Sequence, residues 1–372
     1  MKISYIANIR LPTERAHGIQ IMKMCEAFAA NGHDVELFIP WRFNPIKNDP
    51  FEYYGVEKNF KIAKVTSFDL IWLGKSGFWL QSLFFSFFLS FCFIFKKTDI
   101  VYCRDEIPLF FLSFFKKEIF WETHSAKINF MAKIILQKCR GVIAINGLLR
   151  GFYIKLGASS DKIITAHDGV DLEKFFTEKS AIECRRNLGL PENKKIVMYT
   201  GHLYKRKGVN TLAEAAKFFE EDVAVVFVGG MAKDVKEFSY YFKENRNILI
   251  LGKKPYWTIP LYLKSADVLV LPNSASEESS SLYTSPMKLF EYMASGNPIV
   301  VSDLPAIREV LNSDEAYFAQ PDNSLSFAEN IKAVLENYSS AREKAKKALY
   351  KVKDYQWKNR AIKILNFIKE RK

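Results

Sequence analysis

Short, nearly continuous apolar runs recur along the chain. The first half carries Ile3–Asn8, Val35–Pro40, Asp99–Asp105, Glu118–Trp121, Val142–Asn146 and Lys162–Ala166. The second carries Ile196–Thr200, Val223–Val228, Ile248–Leu251, Val268–Leu271 and Ile299–Val301. Runs without polar alternation predict strands covered on both faces, which is how parallel sheets read. Between them lie stretches of helical period, at Ile19–Ala30, Ile107–Phe115, Leu148–Leu156 and Val209–Phe219. Two more amphipathic helices follow Leu325, and a tail runs from Gln356-Trp357 to Lys372. Strand–helix–strand alternation of this kind predicts α/β architecture. It lapses once, from His167-Asp-Gly-Val-Asp171 through a charged stretch ending near Lys195, which predicts a linker. Two domains follow, 1–175 and 190–355.

Phe78–Phe95 breaks the pattern. It approaches the roughly 18 apolar residues that first suggest a membrane span. Gln81, Ser82, Ser86 and Ser90 nevertheless recur at helical spacing and give one polar stripe. A spanning helix would put two parts of one sheet on opposite sides of a bilayer. The expectation is therefore a buried crossover helix, with a helix lying partly in a membrane interface as the alternative.

Composition narrows the classes. A chain of 372 residues with 49% hydrophobic content supports two packed cores. The net charge of +13 calls for an anionic partner: a phosphorylated small molecule, an anionic membrane surface or nucleic acid. A nucleic-acid binder rests on charge alone, because no recognised module is present. Five scattered cysteines offer neither a disulfide framework nor a metal set, and they fit a reducing compartment. The N-terminus reads as a strand instead of a secretion signal, so the expected location is cytoplasmic.

Candidate chemistry gathers in two places. Ser285-Pro-Met-Lys-Leu-Phe-Glu-Tyr-Met-Ala-Ser-Gly296-Asn-Pro298 reads as a short helix, started by Ser285 and Pro286 and stopped by Gly296 and Pro298. Lys288, Glu291, Tyr292 and Ser295 share one face of it. Its N-terminus, at Met287 and Lys288, suits an anion such as a phosphate, and Glu291 suits a sugar's vicinal hydroxyls. The plain alternative is a packed helix with a solvated Lys288–Glu291 pair. Upstream, Gly201-His-Leu-Tyr-Lys-Arg-Lys-Gly208 sets His202, Lys205, Arg206 and Lys207 between two glycines ahead of a helix. It is either a diphosphate loop or a solvated basic turn. In the first half, His124 ends a strand, where it either bonds a sugar hydroxyl or caps the next helix. Gly18 opens a helix, to admit a ligand or merely to permit a turn. There is no G-x-G-x-x-G, which weakens a nicotinamide or flavin reading.

These residues together resemble the retaining family 4 glycosyltransferases of the GT-B fold, in the subgroup whose donor helix begins T-S-P-x-K-x-x-E. Ser285–Val300 is similar to the donor-binding helix, Gly201–Gly208 to the phosphate loop, and Glu122-Thr-His124 to the histidine strand end. Gly18 matches the N-terminal glycine loop, and Leu251-Gly-Lys253 the turn that reads the base. The resemblance implies two Rossmann-like parallel-sheet domains facing each other across a cleft, with helix 356–372 packing back on the first. It gives Lys207 and the amides of Met287 and Lys288 the diphosphate, Glu291 the ribose, and His124 the transferred sugar. It implies no metal and no cofactor, with a nucleoside diphosphate sugar as co-substrate, UDP preferred over GDP. Two positions depart from it: His202 replaces a frequent arginine, and Tyr283 a frequent carboxylate.

The implied activity is hexosyl transfer to a glycan or lipid-linked acceptor in cell-envelope polysaccharide synthesis, with retention. Basic residues beside the Phe-rich helix add peripheral contact with an anionic membrane as an expected partner. A catalytically weak donor-binding subunit and a nucleotide-sugar isomerising enzyme of the same fold stay open as alternatives.

Overall fold

Branched and aromatic runs that leave no solvent face become strands in two all-parallel sheets. The computed structural model describes residues 1–372 and divides them into two units, Met1–Asp168 with Trp357–Lys372, and Gly169–Gln356. Both are α/β, the class the alternation predicts.

The first unit holds β1 (Lys2–Ile6), β2 (Asp34–Pro40), β3 (Lys61–Val65), β4 (Ile100–Cys103), β5 (Ile119–Thr123), β6 (Gly141–Ala144) and β7 (Ile163–Thr165). Their order is β3-β2-β1-β4-β5-β6-β7. Register pairs Tyr5 with Tyr102 across β1 and β4, and their rings lie 5.0 Å apart. The second unit holds β8 (Lys195–Thr200), β9 (Val223–Val228), β10 (Ile248–Ile250), β11 (Val268–Leu271), β12 (Ile299–Ser302) and β13 (Tyr317–Ala319), ordered β10-β9-β8-β11-β12-β13. Its core has two layers, one on each face of the sheet. Met198, Leu269 and Phe290 belong to one, Tyr199, Val270 and Phe327 to the other.

Three features depart from the sequence pattern. Strands β3 and β13 extend the sheets but were not legible, because edge strands need only a half-apolar face. The charged stretch expected to be a linker is folded. Val170 pairs with Gln356, Phe175 is in the core, and the Ala181–Leu188 helix opens with a capping box between Ser180 and Glu183. Arg185 on that helix is buried, bonding the Asp267 carboxylate at 2.7 Å and the Ser265 carbonyl at 2.9 Å. Charge there is packed and paired, and the division between the two units falls at the start of the stretch, between Asp168 and Gly169.

The third departure is the Gly74–Phe95 helix, which is not buried all round. Its polar stripe faces inward. Asn8 donates to Ser82 Oγ at 2.7 Å, and Gln81 donates to Asn8 Oδ1 at 3.1 Å and to Ser67 Oγ at 3.2 Å. The opposite face exposes Trp79, Phe87, Phe91 and Phe95. The expected buried crossover holds for one face only, where Phe85, Leu89 and Phe93 are covered beside the polar stripe and Phe93 packs on Phe38 at 5.0 Å, ring to ring.

The Trp357–Arg371 helix belongs to the first unit and packs on the Ala16–Ala30 helix and β6. Its buried stripe of Trp357, Ala361, Ile364, Leu365 and Ile368 is interrupted by Arg360. Arg360 Nη2 lies 3.0 Å from Glu122 Oε2, and Arg360 Nε donates to the His167 carbonyl at 2.8 Å. Removing one partner of a buried ion pair strands the other charge, so Arg360→Leu is expected to cost about 3–5 kcal/mol. A fall in the urea midpoint measures this. Adding Glu122→Gln in the same chain should recover part of the loss.

Candidate functional site

Parallel strands direct their carboxyl ends to one edge, and loops at that edge are free to carry chemistry. In the second unit β8 is followed by Gly201, whose φ of +128° favours glycine. A Cβ there would stand 2.8 Å from Lys288 Nζ, so any side chain would displace that ammonium. The turn after it, Lys205–Lys207, ends at Gly208 in the left-handed region, where a Cβ would lie 1.7 Å from the Pro272 carbonyl oxygen. The turn is thus clamped against the end of β11. The loop that follows β11 bonds it again: Ser274 N donates to the Arg206 carbonyl at 3.2 Å.

Within the turn, His202 stacks on Tyr204 with ring centroids 4.8 Å apart, and the Arg206 guanidinium lies over the same Tyr204 ring, 5.7 Å from its centroid. Tyr199, the penultimate residue of β8, donates to the His202 carbonyl at 2.7 Å. Lys288 donates to the same Tyr199 hydroxyl at 2.8 Å and sits 4.0 Å from its ring centroid. A solvated Lys288–Glu291 pair is therefore not what forms. Burial, then Lys207, holds the Lys288 ammonium well below the usual lysine range. Burial likewise pushes Lys207 down to about 8, with Arg206 acting the same way and Glu277 opposing. No carboxylate forms an ion pair with Lys207, Arg206 or Lys288.

The helix bearing Lys288 spans Met287–Ser295 and stops at Gly296 in the left-handed region. Its start differs from expectation. Pro286 occupies the cap position and no side chain caps the helix, so Ser285 does not play that part. A proline cannot offer a side-chain oxygen, and the first amides are left for another acceptor. Glu291, one turn in, is buried and accepts from the Tyr256 hydroxyl at 2.9 Å. Burial pushes its carboxyl up to about 7, against the Tyr256 bond and Lys288. Lys253 lies exposed beyond β10, next to Gly252, whose carbonyl accepts from Gly229 N at 2.8 Å.

In the first unit His124 follows β5 directly. Its Nε2 lies 2.6 Å from Glu122 Oε1. Burial works against an ionised Glu122, yet Arg360, then His124 and Arg104, hold it well below the usual carboxylate range. Burial, with Arg104, pushes His124 down to about 4, so the ring is neutral. An ionised carboxylate only accepts, which puts the proton on Nε2 and leaves Nδ1 an acceptor. His124 does not cap the next helix; Asn129 does, accepting from Ala132 N at 2.8 Å. Gln20 and Tyr102 also donate to Glu122, and Arg104 donates to Gln20 at 2.6 Å. Gly18 is inside the first turn of its helix, where a Cβ would fall 2.2 Å from the Tyr54 hydroxyl. Close packing against Tyr54 demands this glycine.

The structure thus gathers Lys207, Arg206, Met287, Lys288 and Glu291 in one unit, and His124 in the other. Sequence reasoning missed Tyr199, Tyr256, Glu122 and Arg360. The last two carried a signal, a charge inside an apolar run and a charge on an apolar helical stripe.

Residues 181–352 match the family described as Glycosyl transferases group 1, a match that lies wholly within the second unit. Among curated proteins, the chain is 27% identical over 59% of its length to an N,N'-diacetylbacillosaminyl-diphospho-undecaprenol alpha-1,3-N-acetylgalactosaminyltransferase of Campylobacter jejuni, covering 58% of that protein. It is 32% identical over 38% of its length to a UDP-Gal:alpha-D-GlcNAc-diphosphoundecaprenol alpha-1,3-galactosyltransferase of Escherichia coli, covering 37% of it. The chain spans about half the length of the curated relatives it first matches. Anabaena HepE in complex with UDP-glucose superposes over the whole of both chains, with a TM-score of 0.79 and 15% identity. These matches support a glycosyltransferase, and the two parallel-sheet units are those of GT-B folds.

Three cations without a carboxylate partner, beside an uncapped helix, are set to bind a polyanion. Inorganic pyrophosphate is expected to bind, and to weaken as the pH rises through about 8, where Lys207 loses its proton. Titration calorimetry of wild type and Lys207→Ala checks this; the variant should lose that limb.

Proposed function

We propose that the protein is a retaining glycosyltransferase that moves a hexosyl unit from a nucleoside diphosphate sugar to a glycan or lipid-linked acceptor in cell-envelope polysaccharide synthesis. The main support is geometric: Lys288, bonded to the Tyr199 hydroxyl at 2.8 Å, and the Lys205–Lys207 turn stand at the N-terminus of the Met287–Ser295 helix, which no side chain caps. The donor's diphosphate takes that place, and Glu291 accepts hydrogen bonds from the ribose. UDP is the favoured nucleotide; the HepE neighbour holds UDP-glucose. Two of the relatives are named for transfer to undecaprenyl diphosphate sugars, which supports a lipid-linked acceptor and a peripheral station on the cytoplasmic membrane face.

The chemistry is a same-face displacement. The bond from the anomeric carbon to the diphosphate oxygen breaks as that carbon bonds to the acceptor oxygen, and the acceptor's proton passes to the departing diphosphate. Negative charge grows on the leaving group, so cations and amides already aimed at it stabilise the transition state more than the ground state. Lys207, Lys288 and the helix end supply what a metal ion supplies elsewhere, and chelation is expected to leave turnover unchanged. His124 offers Nδ1 to a sugar hydroxyl.

A screen of nucleotide sugars by thermal shift tests this: a donor at 100 times its Kd stabilises by about 2.7 kcal/mol. Lys207→Ala is expected to lower kcat by about 10²–10³-fold. Glu291→Gln should abolish the preference for a nucleoside diphosphate over pyrophosphate, together with any change in it near pH 7. Donor binding without turnover on any acceptor would instead indicate a non-catalytic donor-binding subunit.

A further inference from the structure

The Gly74–Phe95 helix buries Phe85, Leu89 and Phe93 together with its polar stripe, and still leaves a second set of large apolar side chains outside. The Gln81 amide nitrogen and the Ser82 and Ser86 hydroxyls are bonded inside, to Asn8, Ser67 and the helix's own carbonyls. Its outer face carries Phe87 (62% exposed), Phe91 (65%) and Phe95 (83%), with Trp79 half exposed. The apolar surface continues onto the neighbouring helices through exposed Phe114 and Phe130, each within 6.2 Å of Phe110, ring to ring. Patches of this extent are uncommon on proteins that stay in solution alone.

Its rim is basic. No aspartate or glutamate occurs between Asp69 and Asp99, while Lys75, Lys96 and Lys97 flank the helix. Lys116 sits 6.0 Å from the Phe93 ring centroid, and Lys138 4.0 Å from that of Phe114. The nearby carboxylates Glu36 and Glu118 are paired with Lys96 and Arg140. Both ends and one side of the aromatic face therefore present positive charge. A second copy of the chain would bring like charges together, because a two-fold contact sets the same rim against itself. An anionic bilayer surface meets both properties at once.

We propose that this helix lies flat in the headgroup region of an anionic bilayer, with Trp79, Phe87, Phe91 and Phe95 in the acyl boundary and the lysines on lipid phosphates. It does not cross. The strands on either side of it, β3 and β4, belong to one parallel sheet, so the chain returns to the side it left. The helix is long and apolar enough to span, but one face is bonded to its own protein. Aromatic rings and lysines are the side chains favoured at an interface. The assignment extends the peripheral station proposed above, and its test reads partition, not turnover, so either can fail without the other.

The experiment uses the full chain and vesicles of phosphatidylcholine with and without phosphatidylglycerol. The expected result is flotation with anionic vesicles that persists in part at about 0.5 M salt, where headgroup attraction is screened. Tryptophan fluorescence should be quenched by lipids brominated near the carbonyl region, and Trp79→Phe should reduce that quenching. Phe87→Ser with Phe91→Ser should lower partition by roughly tenfold or more, with an unchanged urea midpoint and unchanged pyrophosphate binding. Equal flotation of that variant and wild type overturns the proposal. So does binding that vanishes entirely in salt without quenching, or a wild-type dimer that the same substitutions dissolve and that ignores vesicles. Quenching strongest from the bilayer centre would mean a spanning helix and also overturns it.

Discussion

Two ammonium groups are brought together at the open end of one sheet, without a carboxylate to neutralise either. Each is half withdrawn from water, and Lys207 and Arg206 are among the charges that depress Lys288. Such an arrangement is costly in the empty protein and is kept only because the backbone over-determines it. Gly201 and Gly208 have conformations and clearances that no other residue matches, the second against the Pro272 carbonyl. Tyr199 ties the turn to Lys288 through one hydroxyl that donates to His202 and accepts from the lysine. The cost is what a bound anion would relieve, and that is the physical basis of the diphosphate site proposed above.

The other unit shows the opposite solution. Glu122 sits inside a strand, wholly shielded, with Arg360, His124, Gln20 and Tyr102 around it. Both carboxylate oxygens accept from these donors, and the net effect is a fixed imidazole tautomer, not a free charge. Arg360 comes from the chain's last helix, so that helix is bound to the sheet by an ion pair as well as by apolar packing. Asp168, where the chain leaves this unit, is pushed up to about 6 by burial, with Arg360 opposing. The polar interior thus runs from β5 to the point where the unit ends.

Much of this was legible from local pattern. Eleven of the strands are unbroken apolar runs, and the donor helix announced itself through Gly296 and Pro298. What stayed hidden depended on partners far away in sequence. Glu122 and Arg360 are 238 positions apart, and although Glu122 stands in the Glu122-Thr-His124 strand end, nothing local points to Arg360. Tyr199 reads as an ordinary strand residue until Lys288 is placed over it. Ser285 looked like a cap because serine before proline is a common helix start, yet the backbone puts Pro286 in that position. Lysines and arginines between 167 and 195 looked solvated because pairing with Asp267 cannot be read from spacing. Charge marks exposure only when no buried partner is waiting.

The Phe-rich helix failed for a different reason. Its residues were read correctly as one polar stripe and one broad apolar face, and the helical period was right. Which face turned inward was decided by the sheet, not by the helix. The loop after β1 places Asn8 where Gln81 and Ser82 can meet it, and hydrogen bonds to buried amides are expensive to leave unmade. With that face turned inward, Phe85, Leu89 and Phe93 are covered and Phe87, Phe91 and Phe95 are not. The exposed aromatic face therefore follows from how the sheet and the loop after β1 orient the helix, and it is the surface that the proposed bilayer contact would cover.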